Sequence, residues 1–155
     1  MRRCARALCL LGPVLFLAAC AAEIESPEAQ IRKLIETAVE AAEARSANRL
    51  EELMHPNYLD QRGKRRDQTV LTMRGLFFRH KNVYLFTKIG RIDIQSETQA
   101  SVDMHVAMAG NSISDISALA GVRARLYRFK LHLIKDETWR VLQASWRSAE
   151  PSEIE

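Results

Sequence analysis

The sequence is poor in the residues that mark several classes of protein. Three cysteines in 155 residues are too few for a disulfide-rich domain, and six glycines and four prolines are too few for a collagen-like repeat. A content of 47% hydrophobic residues excludes a disordered chain. The apolar run Ala7–Ala19 is shorter than the roughly 20 residues that cross a bilayer as a helix. What remains is a single globular domain, and a polytopic membrane protein is excluded.

Acidic residues are also missing from the first nineteen positions, which contain three arginines. A basic start followed by a short apolar run has the length and flanks of a secretory signal peptide. The tetrapeptide Leu17-Ala18-Ala19-Cys20 then resembles the lipobox of bacterial lipoproteins. In that family the cysteine receives a diacylglycerol and the chain is cut before it. The resemblance implies that Cys20 is the lipidated first residue of the mature protein; the alternative is a secreted protein cleaved near Ala22.

The residue after the cysteine carries a further implication. In the lipoprotein family an aspartate there favours the inner membrane, whereas this chain has Ala21. The resemblance therefore implies a lipid-anchored protein of the cell envelope, on the periplasmic face of the outer membrane. Without its first nineteen residues the chain keeps one cysteine, so no internal disulfide is expected. The predicted organisation is a signal peptide (1–19), an acylated cysteine with a short linker (20–25), one domain (26–148) and an acidic tail (149–155).

The first half of the domain has helical patterning. Ser26, Pro27 and Glu28 provide a hydroxyl N-cap, a proline at the first helical position and an acid in the first turn. Apolar residues then recur every three or four positions, at Ile31, Leu34, Ile35, Ala38, Val39 and Ala42. We predict a second, short helix capped by Ser46 or Asn48 that stops at His55-Pro56-Asn57. A third helix is predicted to be capped by Asp67 and to end near Asn82.

The second half has strand patterning. From Val83 onward apolar and polar residues alternate, which predicts four antiparallel strands after a short strand at Tyr58 and Leu59. The alternation shifts by one residue at Gly90 and again near Val141, so we predict a β-bulge at each. The long connection 110–122 is predicted as a lid, or as a plug with a short helix capped by Asp115. Residues 150–155 are predicted to be a frayed acidic tail.

Helices followed by antiparallel strands indicate an α+β fold. The order and local sequence resemble the nuclear transport factor 2-like (SnoaL-like, cystatin-type) family, in which a curved antiparallel sheet packs with N-terminal helices into a cone with an apolar cavity. The segments that carry the resemblance are Ser26-Pro27-Glu28 with Ile31, Leu34 and Ile35, then Met54-His55-Pro56-Asn57-Tyr58, and Thr138-Trp139-Arg140-Val141. The family contains isomerases, dehydratases and cyclases as well as binding and assembly modules, so the fold does not indicate which of these the chain is.

The family's enzymes place an acid or base inside the cavity. What matters is therefore the parity of each ionisable side chain, that is, whether it alternates onto the apolar or the polar face of its strand. Asp103 and His105 alternate with the apolar residues of their strand and are predicted to lie on a solvated or dimer-forming outer sheet face. The alternative is a catalytic dyad or, with His132, a metal site. Arg125 and Tyr127 share the apolar parity and are the predicted ligand-binding residues, with a core tyrosine and a solvent-reaching arginine as the alternative. Three acids or bases of helices and loops remain able to reach the cavity: Asp60, His80 and Asp115.

These patterns predict a non-catalytic binding or assembly module, with a small-molecule isomerase, cyclase or dehydratase as the alternative. No cofactor and no metal are expected, because the sequence lacks histidine-rich spacing and paired cysteine ligands. The expected partners are the membrane, through the lipid anchor, an apolar or anionic small ligand, and an envelope protein or a second copy of the chain. Residues 61–91 contain nine bases and one acid. The stretch is predicted to be a solvated third helix balanced by the acidic first helix. The alternative, behind a lipobox, is a surface for lipid headgroups, lipopolysaccharide phosphates, cell-wall polymers or an acidic partner rather than for nucleic acid.

Overall fold

The protein folds as N-terminal helices against a five-stranded sheet. A computed structural model describes residues 25–109 and 125–154. The helices are α1 (Pro27–Glu43), α2 (Ala47–Glu52) and α3 (Arg66–Arg79). The strands are β1 (Met54–Asp60), β2 (Tyr84–Ile94), β3 (Gln99–Ala109), β4 (Arg125–Lys135) and β5 (Trp139–Ser148), and a short 3-10 helix covers Pro151–Glu153. The α+β architecture predicted from the sequence is confirmed.

The helix starts are governed by local hydrogen bonds. The Ser26 hydroxyl accepts a hydrogen bond from the Ala29 amide at 3.2 Å, as predicted. Of the two predicted caps for α2, Ser46 is the one used. The predicted cap of α3 is wrong: the helix starts at Arg66, so Asp67 lies within its first turn, and Gln68 Oε1 accepts from the Arg65 amide at 3.0 Å. Asp67 still places a negative charge at the helix N-terminus, where the backbone dipole favours it.

The sheet has the order β1-β5-β4-β3-β2. Strands β2 to β5 pair antiparallel, and β1 joins the edge parallel to β5. Both predicted bulges are confirmed: the β2–β3 register shifts between Ile89 and Arg91, and the β4–β5 register skips Leu142. The stop predicted at His55-Pro56-Asn57 lies inside β1, which therefore starts earlier than expected. Proline is tolerated there because β1 is an edge strand.

The main core lies between α1 and the concave face of the sheet. Ile31, Leu34 and Ile35 of α1 pack with a layer of sheet residues comprising Ala100, Val102, Met104, Val106, Leu133 and Trp139. A second cluster, which includes Tyr58, Val70 and Ala144, joins β1, α3 and β5. Within the described ranges, no helix is long and apolar enough to cross a membrane.

The C-terminal tail packs against the protein instead of fraying. Arg147 and Glu153 form an ion pair at 2.5 Å, and the Lys88 ammonium donates to the Ile154 carbonyl. Ile154 itself is 3% exposed. The Arg147 guanidinium and the Glu150 amide lower the pKa of Glu153 to about 2. The prediction of a frayed tail was wrong because cations of β2 and β5 hold its acid and its backbone.

Candidate functional site

An apolar cavity of about 450 Å³ lies between the helices and the concave side of the sheet. Its walls come from α1, α2, α3 and all five strands. Apolar side chains form most of the surface, among them Val39, Leu53, Met73, Val106, Phe129 and Leu131. A volume of this size and lining is typical of small-molecule binding sites.

One side of this cavity is polar and is formed by β1 and α3. Tyr58 and Asp60 are two residues apart on β1, so their side chains point to the same face of the strand. Thr69 of α3 lies beside them, and all three are at most 8% exposed. We call Tyr58, Asp60 and Thr69 the polar wall. It gives an otherwise apolar cavity a region that can orient a ligand by hydrogen bonding.

The position of Asp60 depends on a turn that its own carboxylate holds. Asp60 Oδ1 accepts hydrogen bonds from the amides of Arg62 at 2.7 Å and Lys64 at 2.8 Å. The turn also contains Gly63, whose φ of +75° suits a residue without a side chain. Among the described residues we find no hydrogen bond to Oδ2. Oδ1 therefore has a structural role, and Oδ2 has no hydrogen-bond partner in the part of the chain that the structure describes.

Burial makes the phenol of Tyr58, next to Asp60, a weaker acid. Desolvation and the nearby Asp60 carboxylate raise the pKa of Tyr58 from 10.0 to about 12. The Thr69 hydroxyl acts in the opposite direction, although its Oγ1 makes no hydrogen bond of normal geometry with the described residues. Tyr58 is thus a neutral phenol at physiological pH, able to donate a hydrogen bond into the cavity.

This shift predicts an alkaline loss of stability. Because the folded-state pKa lies above the unfolded value, the contribution is fully present below pH 10 and is lost as the pH rises toward 12. We expect Tyr58→Phe to remove this part of the decline between pH 10 and pH 12, measured by urea unfolding across that range. Tyr84→Phe, at a residue 37% exposed, is the matched control and should leave the decline unchanged. If the free energy of unfolding fell equally steeply with pH in the two variants, the assignment of this decline to Tyr58 would be contradicted.

The two predicted ligand-binding residues are placed differently. Tyr127 lies in the cavity wall, where its ring meets that of Phe129 edge-on at 6.3 Å between centroids. Arg125 is exposed at the start of β4 and is not part of the wall formed by the described residues. The alternation of the strand does not distinguish the two, and strand register does not explain the difference, since Arg125 pairs with Met108, which does line the cavity. Cys20, Asp115 and the whole connection 110–122 lie outside the described residues.

Asp103 and His105 lie on the outer sheet face, as their parity predicts. Arg128 holds the Asp103 carboxylate with Nε at 2.8 Å and Nη2 at 2.5 Å. These bonds lower the pKa of Asp103, since they stabilise its charged form. His105 Nε2 is buried without a hydrogen-bond partner in the described part of the chain. Because Arg128 already engages Asp103, the two residues do not form an acid–base pair.

The sequence predicts only that Asp60 can reach the cavity, and it predicts a short strand at Tyr58 and Leu59. His80, also considered, is an exposed residue at the end of α3. A signal was present in the spacing of Tyr58 and Asp60, which places an ionisable group on the same strand face as a buried aromatic. Among residues 25–109 and 125–154, no group of three or more histidine, cysteine, aspartate or glutamate side chains is arranged to hold a metal ion.

No protein-family model matches the chain, and no curated protein matches it. Solved structures, in contrast, are similar to this chain. An NTF-2 like protein of unknown function from Shewanella oneidensis MR-1 is 16% identical, with a TM-score of 0.62 over 78% of this chain and 98% of that one. A domain of unknown function with a cystatin-like fold from Nostoc punctiforme PCC 73102 is 14% identical, with a TM-score of 0.61 over 79% and 77%.

An enzyme is among the similar structures. The hexachlorocyclohexane dehydrochlorinase LinA-type3 from Novosphingobium barchaimii LL02 is 13% identical, with a TM-score of 0.61 over 79% of this chain and 86% of that one. The same architecture therefore occurs in an enzyme and in proteins of unknown function. The sheet order, the α1 core and these similarities together lead to one conclusion: the chain has the NTF2-like, cystatin-like α+β fold.

Proposed function

We propose that this protein binds an apolar small molecule in its cavity and acts as a non-catalytic binding module of the cell envelope. The observation that supports this most directly is the apolar cavity of about 450 Å³ with the polar wall on one side. Such a site stabilises a ligand mainly by removing apolar surface from water, and a few hydrogen bonds fix its orientation.

The polar wall limits which ligands fit. The Tyr58 phenol can donate one hydrogen bond, and the free Asp60 oxygen can accept one. Lys64 also borders the cavity, but its ammonium donates to the Thr72 hydroxyl at 3.0 Å. A ligand with an apolar body and one hydroxyl or carbonyl group satisfies this arrangement. Tyr127 lies in the same wall and remains a proposed contact for such a ligand.

The location is part of the proposal and is supported by the N-terminal sequence. A basic start, a short apolar run and Leu17-Ala18-Ala19-Cys20 together support export and lipidation at Cys20. Several acyl chains on one residue hold a protein on a bilayer stably, since each buried methylene contributes about 0.8 kcal/mol. With Ala21 after the cysteine, we propose the periplasmic face of the outer membrane.

Native mass spectrometry tests cavity binding. The complete chain is expressed in bacteria, purified in detergent and compared by its native and denatured masses. We expect a reproducible non-covalent adduct of small-molecule mass that disappears on denaturation. Ala38→Trp, which fills the cavity from α1, is expected to lose the adduct.

The matched control is Ala44→Trp, the same change at an exposed residue outside the cavity wall. This variant is expected to keep the adduct. An adduct that persists unchanged in both variants would place the ligand elsewhere on the protein. A chain that carries no adduct and gains none from envelope lipid extracts would count against a binding role.

A second candidate function is an enzyme of the isomerase or dehydratase type, and the polar wall favours it. Asp60 offers a buried carboxylate with one free oxygen, and Tyr58 offers a protonated phenol beside it. In an apolar site these groups can act as a general base and a hydrogen-bond donor on one small substrate. Loss of turnover in Asp60→Asn, at unchanged stability, would distinguish this candidate from simple binding.

A further inference from the structure

Helix α3 exposes two large apolar side chains on its outer surface. Phe78 is 92% exposed and Leu71 is 70% exposed. They are seven residues apart, close to two full helical turns, so they lie nearly in line along one side of the helix. A phenylalanine with almost its whole surface in water is unusual, and exposed apolar surface of this kind often marks an interaction site.

These two residues are not needed for the packing of α3 on the domain. The inward side of the helix is supplied by Val70, which is 3% exposed, and by Met73 and Phe77, which pack with the second core cluster. Leu71 and Phe78 point away from that contact. Within residues 25–109 and 125–154, the packing of the fold therefore gives no reason for two apolar side chains on the outer side of α3.

Basic residues lie beside the exposed apolar pair. Arg74 lies between Leu71 and Phe78 on the same side of the helix, and Arg79 and Lys81 follow at its end. In the part of the chain that the structure describes, none of the three cations forms a salt bridge, and Arg74 donates only to the neutral Asn48 side chain at 2.9 Å. We call Leu71, Arg74, Phe78 and Arg79 the outer face of α3.

We propose that the outer face of α3 docks on an anionic lipid bilayer. Two exposed apolar side chains can enter the boundary between headgroups and acyl chains, while the arginines stay among the phosphates. Charge complementarity supports this partner, because Arg74, Arg79 and Lys81 lie beside the exposed pair and form no salt bridge with a described residue. The docking does not require the lipid anchor. An anchor at Cys20 would add to it, since the six residues Ala21 to Ser26 reach about 20 Å when extended.

A tryptophan placed on this face reports on its depth. Phe78→Trp in the full chain is mixed with vesicles of brominated phosphatidylcholine, with or without an equimolar amount of phosphatidylglycerol. Bromine quenches tryptophan only at close range, and emission of the unsubstituted chain corrects for Trp139 and Trp146. Residues 1–24 contain no tryptophan, so this segment gives no signal of its own.

We expect loss of most of the added emission with phosphatidylglycerol and little loss without it. The quenching should disappear in about 1 M salt, where the screening length falls to about 3 Å. Adding Arg74→Gln and Arg79→Gln should weaken it several-fold. Adding Arg91→Gln, at an exposed arginine near Asp93 on β2, should leave the quenching unchanged.

The position control is His132→Trp, at an exposed residue on the opposite side of the sheet. Equal quenching at residues 78 and 132 would overturn the proposal, because binding would then be undirected. Absence of quenching at residue 78 would overturn it as well. An emission shift with polyglutamate but not with vesicles would identify the face as a docking site for an acidic protein instead. None of these readouts depends on the Cys20 anchor, which is tested separately by fractionation.

Discussion

Replacement of Asp60 by alanine is expected to lower the free energy of unfolding by about 2–4 kcal/mol, whereas replacement by asparagine is expected to cost about 1 kcal/mol or less. The difference follows from Oδ1, which accepts from the amides of Arg62 and Lys64. Alanine leaves both amides without that acceptor in the turn that follows the edge strand β1. Asparagine keeps a carbonyl oxygen in the same place. Urea unfolding monitored by circular dichroism measures both values.

The control for this pair is Asp67→Ala, at an exposed acid in the first turn of α3. Loss of a helix-dipole contact at the surface costs about 0.3–1 kcal/mol. Equal losses for Asp60→Ala and Asp67→Ala would contradict a structural role for the Asp60 turn. A loss in Asp60→Asn as large as in Asp60→Ala would show that the negative charge, and not the acceptor geometry, holds the turn.

The same asparagine variant separates the two candidate functions. A binding module loses at most one hydrogen bond to its ligand, so occupancy of the cavity should fall modestly. An enzyme that uses Asp60 as its base loses the proton acceptor, and turnover should fall by about 100-fold or more. On one Asp60→Asn preparation, a binding module should therefore show a modest fall in cavity occupancy by native mass spectrometry. An enzyme should show a large fall in substrate turnover.

Replacement of Cys20 by serine is expected to move the protein out of the membrane fraction. A serine hydroxyl does not accept the diacylglycerol that the lipobox resemblance implies, so the chain should accumulate as an unprocessed or soluble form. Fractionation of cells with immunoblotting measures the distribution, and the mass of the N-terminal peptide measures acylation directly. The expected result is nearly complete redistribution.

A matched control is available in the same segment. Cys9→Ser lies in the apolar run ahead of the predicted cleavage site and should leave both fractionation and acylation unchanged. Unchanged fractionation of Cys20→Ser together with an unmodified N-terminal peptide would contradict the lipoprotein proposal. The outer face of α3 would then be the remaining candidate for membrane attachment.

Much of the fold follows from patterns that span only a few residues. The Ser26 cap, the apolar spacing of α1 and the alternation along β3 are local, and the structure confirms each of them. The bulge at Gly90 could be predicted because a face shift at a glycine is visible in the sequence. A side chain built there would meet the Asp103 carbonyl at 3.3 Å, which is consistent with a glycine at this close approach.

The polar wall could not be predicted in the same way. Asp60 faces the cavity because β1 pairs parallel with β5, opposite Ala144, and because α3 brings Thr69 beside it. The pairing with β5 joins segments that are far apart in the chain, and the contact with Thr69 depends on how α3 folds back on β1. The sequence suggested Arg125 instead, since it shares parity with Tyr127, but this residue is exposed and is not part of the wall formed by the described residues.

The sequence by itself determined the α+β order, the positions of both bulges, the outward direction of Asp103 and His105, and the features that predict export. The tertiary structure alone decided which ionisable groups lie in the cavity, where the C-terminal tail packs, and that Phe78 is exposed. The reason is physical: caps and periodicities depend on neighbours within one or two turns, whereas burial depends on which distant segments pack together.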